Sequence, residues 1–166
     1  MTEADLEKFL RGLHEQGIKF VIIGGMAAIA QGSAYLTADL DLCYSRDKKN
    51  LEQLAKALAP FHPVLRDAPA NLPFKLDAAT LRSGLNFTLS TDFGDLDLFG
   101  EVTGLGSYEE ALKLSEELEL FGIPCRVLTL EGLIKAKEAS GRTKDLRLLP
   151  ELKALREIRK SRKKEP

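Results

Sequence analysis

The sequence predicts an α/β (α+β) chain, and three observations carry that expectation. A β-branched run, Val21-Ile22-Ile23, meets Gly24-Gly25 and then the helix formers Met26-Ala27-Ala28-Ile29-Ala30. Two later runs, Asp39-Leu40-Asp41-Leu42 and Asp95-Leu96-Asp97-Leu98, alternate acid and leucine with the period of a strand. Between and around them lie stretches whose apolar residues recur at helical spacing, beginning with Leu6, Phe9, Leu10 and Leu13.

Taken in order, Thr2 and Asp5 form a capping-box-like start to the first helix, and Gly17 is placed to stop it. The chain then enters a strand over 19–23, a short helix over 26–31 closed by Gly32, and a second strand over 39–44. Asp47 caps a third helix, whose apolar face is Leu51, Leu54, Ala55 and Leu58 and which ends before Pro60. From Pro60 to Leu76 periodicity fails among Pro63, Pro69 and Pro73, so a long surface excursion is expected. Asp77 caps a short helix over 78–82. Strands over 86–90 and 95–99 are joined by a tight turn at Asp92-Phe93-Gly94. Ser107 and Glu110 read as a capping box before a helix over 111–117, and a small hairpin turns at Gly122-Ile123-Pro124. Thr129 caps a helix that runs to about Ser140 and stops at Gly141. A last helix over 144–160 is expected to kink or restart at Pro150.

Composition narrows the class. Of 166 residues, 44% are hydrophobic and 30% charged, enough apolar content for a real core in one domain. The formal net charge of −1 argues against a molecule that binds nucleic acid through its overall field. The basic end, from Arg156 to Lys164, reads chiefly as a solvated helix terminus and only weakly as an RNA contact. Cys43 and Cys125 form no zinc or disulfide pattern, and His14 and His62 stand alone. The acidic, amphipathic N-terminus is unlike a signal peptide, and the apolar run over 20–30 is too short for a membrane span, so a cytoplasmic location and no membrane partner are expected.

The acids suggest chemistry. Carboxylates at i and i+2 share one face of a strand, about 6.5–7 Å apart, and their repulsion beside a core calls for a cation. Asp39, Asp41 and one of Asp95 or Asp97 converge if the second acidic strand lies beside the first. Such a set suits two magnesium ions clamping an in-line phosphoryl displacement. Gly24 and Gly25 would let backbone N–H groups approach the phosphates. The plainer alternatives are a solvated acidic edge, an ordinary strand-to-helix turn, a surface lysine at Lys137 and a local Arg142–Asp145 ion pair.

In order along the chain, GGMAAIAQG, TADLDL, GDLDLFGEVTG and LIKAKEASGRTKDL resemble the blocks of the nucleotidyltransferase superfamily. The bacterial GG-motif proteins related to the AbiEii-type toxin, and the lincosamide and aminoglycoside adenylyltransferases, are the most similar type. The resemblance covers roughly Ile18 to Leu155. It implies a small mixed sheet flanked by helices with C-terminal helices: a catalytic core over 1–128 and a helical extension over 129–166 packed on it. It implies a Mg2+-dependent enzyme, with two ions, that moves NMP from an NTP (ATP or GTP) to a hydroxyl acceptor and releases pyrophosphate. By motif, the phosphates fall at Gly24 and Gly25 and the metals at Asp39 and Asp41. Asp97, favoured over Asp95, is third ligand and general base, while Lys137 and Arg142, with Lys144 nearby, reach the triphosphate. The acceptor is left open among RNA or tRNA, a protein and a small molecule. One departure stands out: Tyr35 falls where related sequences often carry arginine. That loss of charge motivates a second expectation, a weakened enzyme that binds nucleotide or protein as one half of a toxin–antitoxin or defence pair.

Overall fold

The computed structural model describes residues 1–164. In chain order the elements are α1 (Glu3–Glu15), β1 (Phe20–Ile23), α2 (Gly24–Ala30), β2 (Asp39–Tyr44), α3 (Lys48–Leu58), β3 (Val64–Leu65), α4 (Ala78–Ser83), β4 (Asn86–Thr91) and β5 (Gly94–Phe99). They continue with β6 (Glu101–Val102), β7 (Gly106–Ser107), α5 (Tyr108–Lys113), β8 (Ser115–Leu120), β9 (Ile123–Leu128), α6 (Leu130–Ser140) and α7 (Thr143–Lys164). Seven strands make one mixed sheet in the order β3-β4-β5-β2-β1-β9-β8, with β6 and β7 as a separate small ribbon. Parallel pairing joins β2 to β5 and β1 to β9, and the other neighbours in the large sheet are antiparallel.

Caps set most of the helix starts. Thr2 and Asp5 close a full capping box on α1, Asp47 accepts from Asn50 N at the start of α3, and Asp77 accepts from Thr80 N at the start of α4. Thr129 does the same for α6 through Gly132 N, and Gly141, at φ 63°, ends that helix in the left-handed conformation. The central strands are buried on both faces where helices cover them: β1 is buried at every position. Leu40, Leu42, Leu96 and Leu98 point their side chains into the core and leave the alternate acids on the opposite face. The two cysteines are buried thiols, and burial pushes Cys43 up to about 12 and Cys125 up to about 11.

Four expectations are corrected. The stretch after Pro60 is not wholly irregular, because β3 adds an edge strand through Val64↔Ser90 and Leu65↔Leu89. The helix expected to reach residue 117 ends at Lys113, and Ser107 makes no side-chain cap bond. The alternation of Glu117-Leu118-Glu119-Leu120 has won there, turning Ser115–Leu120 into an edge strand with Leu118 and Leu120 against the core. Gly24 and Gly25 lie within the first turn of α2 instead of ahead of it. Finally, α7 does not restart at Pro150 but runs through it to Lys164, held by buried Leu148, Leu149 and Leu152.

The basic end of α7 is more engaged than a fraying terminus. Arg159 donates to the side-chain and backbone oxygens of buried Gln31, and Arg156 lies 3.5 Å from Glu131. One turn earlier in the helix, Glu151 accepts from Ser33 Oγ and Ala34 N. The long C-terminal helix therefore ties down the loop between α2 and β2, the segment that delivers Asp39. In that loop Tyr35 packs partly buried against the core.

Candidate active site

The site is built where β1 ends. β2 runs antiparallel to β1 with Ile23 opposite Asp41, so the Asp41 side chain lies beside the entry to α2. Gly24 there has φ 63°, and a Cβ on it would fall on Asp41 Oδ2. Only glycine satisfies both conditions. Gly24→Ala is expected to lower stability by about 1–3 kcal/mol through left-handed strain, and to push the Asp41 carboxylate aside. Thermal denaturation would measure it. Gly25 is constrained differently: it is buried, and a Cβ would run into the Thr37 side chain.

On the other side of β2, β5 pairs in parallel with Asp39 opposite Asp95 and Asp41 opposite Asp97. Four carboxylates thus share one face of two adjacent strands, with about 4.8 Å between strands and about 6.5–7 Å along each. The juxtaposition on which the chemical reading depended is met. Burial, then the charges of Asp97 and Asp39, push the Asp41 carboxyl up to about 7, with Lys137 and Lys144 pulling the other way. Burial also raises Asp97, against the opposing influence of Arg66.

Arg66 is the residue that sequence reasoning missed. It follows β3, where its backbone N donates to Thr88 O, and its Nη2 donates to Asp97 Oδ1 at 2.7 Å and to Leu89 O at 2.8 Å. Its Nε lies 3.3 Å from Asp95 Oδ2, and Ser90 Oγ donates to the other Asp95 oxygen. A positive charge therefore does stand beside the acids, although Tyr35 does not provide it. No periodicity marks a two-residue strand, so the only available signal was an apolar pair and an arginine between Pro63 and Asp67.

A cavity of about 370 Å3 opens against this face, and Gly24, Asp41, Lys137, Ser140, Arg142 and Asp145 line it. That is a ligand-sized space. It gathers four of the expected site residues: Gly24, Asp41, Lys137 and Arg142. Asp39, Asp97 and Gly25 are not on its wall. Lys137 Nζ donates to Asp145 Oδ1 at 2.7 Å, Arg142 Nε to Asp145 Oδ2 at 2.6 Å, and Ser140 Oγ to that same oxygen. Burial alone would raise Asp145, but these three donors outweigh it and hold the carboxyl at about 2. The cationic wall is thus assembled around one buried acid.

The donor set bears directly on a metal. Among the described residues no group of three His, Cys, Asp or Glu side chains converges to hold an ion. Asp39 and Asp41 are hard oxygen donors on one strand face, which suits a divalent cation that completes its shell with phosphate oxygens and water.

This arrangement belongs to a known architecture: the chain has the nucleotidyltransferase fold. The antibiotic-resistance factor ANT(2'')-Ia superposes in its solution structure with a TM-score of 0.56 at 17% identity, over 96% of this chain and 91% of that one. The same factor in complex with adenylyl-2''-tobramycin gives 0.57 at 16% identity, over 96% and 97%. A protein from Thermotoga maritima assigned as a nucleotidyltransferase gives 0.52 at 14% identity, over 94% and 91%. In sequence, residues 2–55 match the model of the family described as nucleotidyl transferase of unknown function (DUF2204). No curated protein sequence matches the chain. Among the described residues no helix is long and apolar enough to cross a membrane.

Proposed function

We propose that the protein is a nucleotidyltransferase that moves NMP from an NTP to a hydroxyl acceptor. The observation that carries this reading is the facing of Gly24 and Asp41 on the wall of a cavity that Lys137 and Arg142 also line, with Asp39 and Asp97 on the adjoining strand positions. In the reaction the acceptor oxygen bonds to the α-phosphorus, the bond from that phosphorus to its bridging oxygen breaks, and pyrophosphate leaves. The acceptor proton passes to a carboxylate. Asp97 suits that role, since Arg66 holds its Oδ1 and leaves Oδ2 for the acceptor. Lys137 and Arg142, which line the cavity with Gly24, are the cations that would meet the triphosphate. Bound at Asp39 and Asp41, Mg2+ would neutralise the charge that builds on the phosphate oxygens.

The acceptor, whether RNA or tRNA, a protein or a small molecule, is open to direct assay. Incubating the chain with α-labelled ATP or GTP and Mg2+ in the presence of each class is expected to label one of them. Asp41→Asn is expected to label none. Absence of transfer to every class, together with equal NTP–Mg2+ binding by wild type and Asp41→Asn, would sink the assignment.

A second reading draws on a specific observation: the site is largely self-neutralised, with Asp97 on Arg66 and both Lys137 and Arg142 on Asp145. A weakened enzyme that acts by binding nucleotide or a partner protein of a toxin–antitoxin or defence pair would tolerate this. Stable co-purification with a partner and no transfer would favour it.

A further inference from the structure

Arg66 lies in the turn that follows the edge strand β3. Its side chain is 21% exposed and reaches both acids of β5, and its hydrogen bond to Leu89 O anchors it to the sheet independently of them. The β5 acids thus share one covalently attached cation, whereas Asp39 and Asp41 on β2 form no ion pair among the described residues. A guanidinium keeps its charge at any physiological pH. A divalent ion shared between β2 and Asp97 would have only Oδ2 open to it and would sit against the guanidinium charge fixed on the neighbouring oxygen, a repulsion that an ion held by Asp39 and Asp41 alone avoids.

We infer that Arg66 serves as a resident cation in place of one of two metal ions, so that the site takes a single divalent ion at Asp39 and Asp41 and leaves Asp97 outside the metal shell. The inference rests on the nucleotidyltransferase reading and deepens it, because it divides the labour among the acids. Asp39 and Asp41 are the ligands, Asp97 is a proton acceptor oriented by Arg66, and Asp95 with Ser90 fixes the arginine. Arg66 is in this sense a positioning residue for Asp97 and a charge substitute for the second ion.

Mn2+ binding to the whole chain, with a non-hydrolysable ATP analogue carried in a matched protein-free control, tests this by electron paramagnetic resonance. Wild type is expected to bind about one ion beyond that control, with an uncoupled signal; Arg66→Gln is expected to bind about two, with the exchange-coupled signal of ions ~3.5–4 Å apart. Asp97→Asn, which removes no ligand on this inference, should keep one ion with affinity changed by less than about threefold, where loss of even an outer-shell partner costs about 10–100-fold. A coupled pair in wild type overturns the inference. So does a single ion in a folded Arg66→Gln, or loss of binding in Asp97→Asn, which decides the matter if Arg66→Gln does not fold. Failure of the underlying reading looks different: wild type and Asp41→Asn would then bind Mn2+ alike, or not at all.

Discussion

Asp41→Asn is expected to stabilise the folded chain while abolishing transfer. The Asp41 carboxyl is pushed up to about 7 by burial and by Asp97 and Asp39, against an ordinary value of 3.8. The sign follows from proton linkage. A carboxyl whose folded pKa is raised binds more protons in the native state than in the unfolded one between those values, so stability present at pH 4 is lost as pH rises through about 7. Asparagine has nearly the same shape and no charge to desolvate. It should therefore gain about 2–4 kcal/mol over wild type at pH 8, and nothing at pH 4. For a chain of this size that is a rise in Tm of about 5–10 °C. Transfer should fall about 100- to 1,000-fold or more, the scale on which a preorganised charge contributes to a transition state. Denaturation curves at both pH values, beside a labelled-nucleotide assay, would check the two halves. A variant less stable than wild type at pH 8 would mean that Asp41 is held by contacts and not opposed by its neighbours.

On the proposed reading the same proton would govern metal binding. A divalent ion at Asp41 must displace it, so Mg2+ affinity should climb with pH to about 7 and level off above. Calorimetry across pH 5.5–8.5 is expected to show that profile in wild type and to lose it in Asp41→Asn. Stability held in tension at a binding site is the usual cost of preorganisation, and here it can be traced to named side chains.

How much of this was legible beforehand differs by scale. The period of two in Asp39–Leu42 and Asp95–Leu98 was enough to put the acids on one face, because side-chain alternation is a local property. That the strands are neighbours in register was conditional, since nothing local fixes β2 against β5 across more than fifty residues of chain. Gly24 was marked as a turn glycine, but the reason for it, the Asp41 oxygen occupying the space of its Cβ, exists only after β1 and β2 pair. Gly25 was assigned to phosphates; that its missing side chain also leaves room for Thr37 shows only once the loop before β2 is in place. Arg66 was invisible: it meets Asp97 at a separation of 31 residues, from the turn after a strand too short to show a pattern. The Arg142–Asp145 pair at i, i+3, the plainer alternative to a phosphate contact, is present. Its third member, Lys137, joins from the preceding helix across the turn at Gly141, a contact that helical spacing alone does not predict.

That cluster supports the other large effect. Asp145 is fully buried and receives Lys137, Ser140 and Arg142, with Lys137 itself 15% exposed. Removing the acid leaves a mostly desolvated ammonium without a counter-charge and releases the turn between α6 and α7, so Asp145→Ala is expected to cost about 3–5 kcal/mol. Asp145→Asn should recover part of it by accepting from Ser140 and Arg142 while still failing to neutralise Lys137. Because the carboxyl is held at about 2, its contribution is present at and above pH 4 and is lost only as pH falls through about 2, so the loss in both variants should be constant from pH 5 to 8. Urea denaturation at several pH values would check this, and a pH-dependent difference in that range would point to a different partner for Lys137. The double variant Asp145→Ala with Lys137→Met should restore much of the loss, since it removes the orphaned charge together with its partner. Nucleotide binding separates the two duties of the cluster: Asp145→Asn keeps Lys137 on the cavity wall and frees its charge, so a triphosphate should bind at least as tightly as to wild type. The double variant, stable but without the lysine, should bind it more weakly.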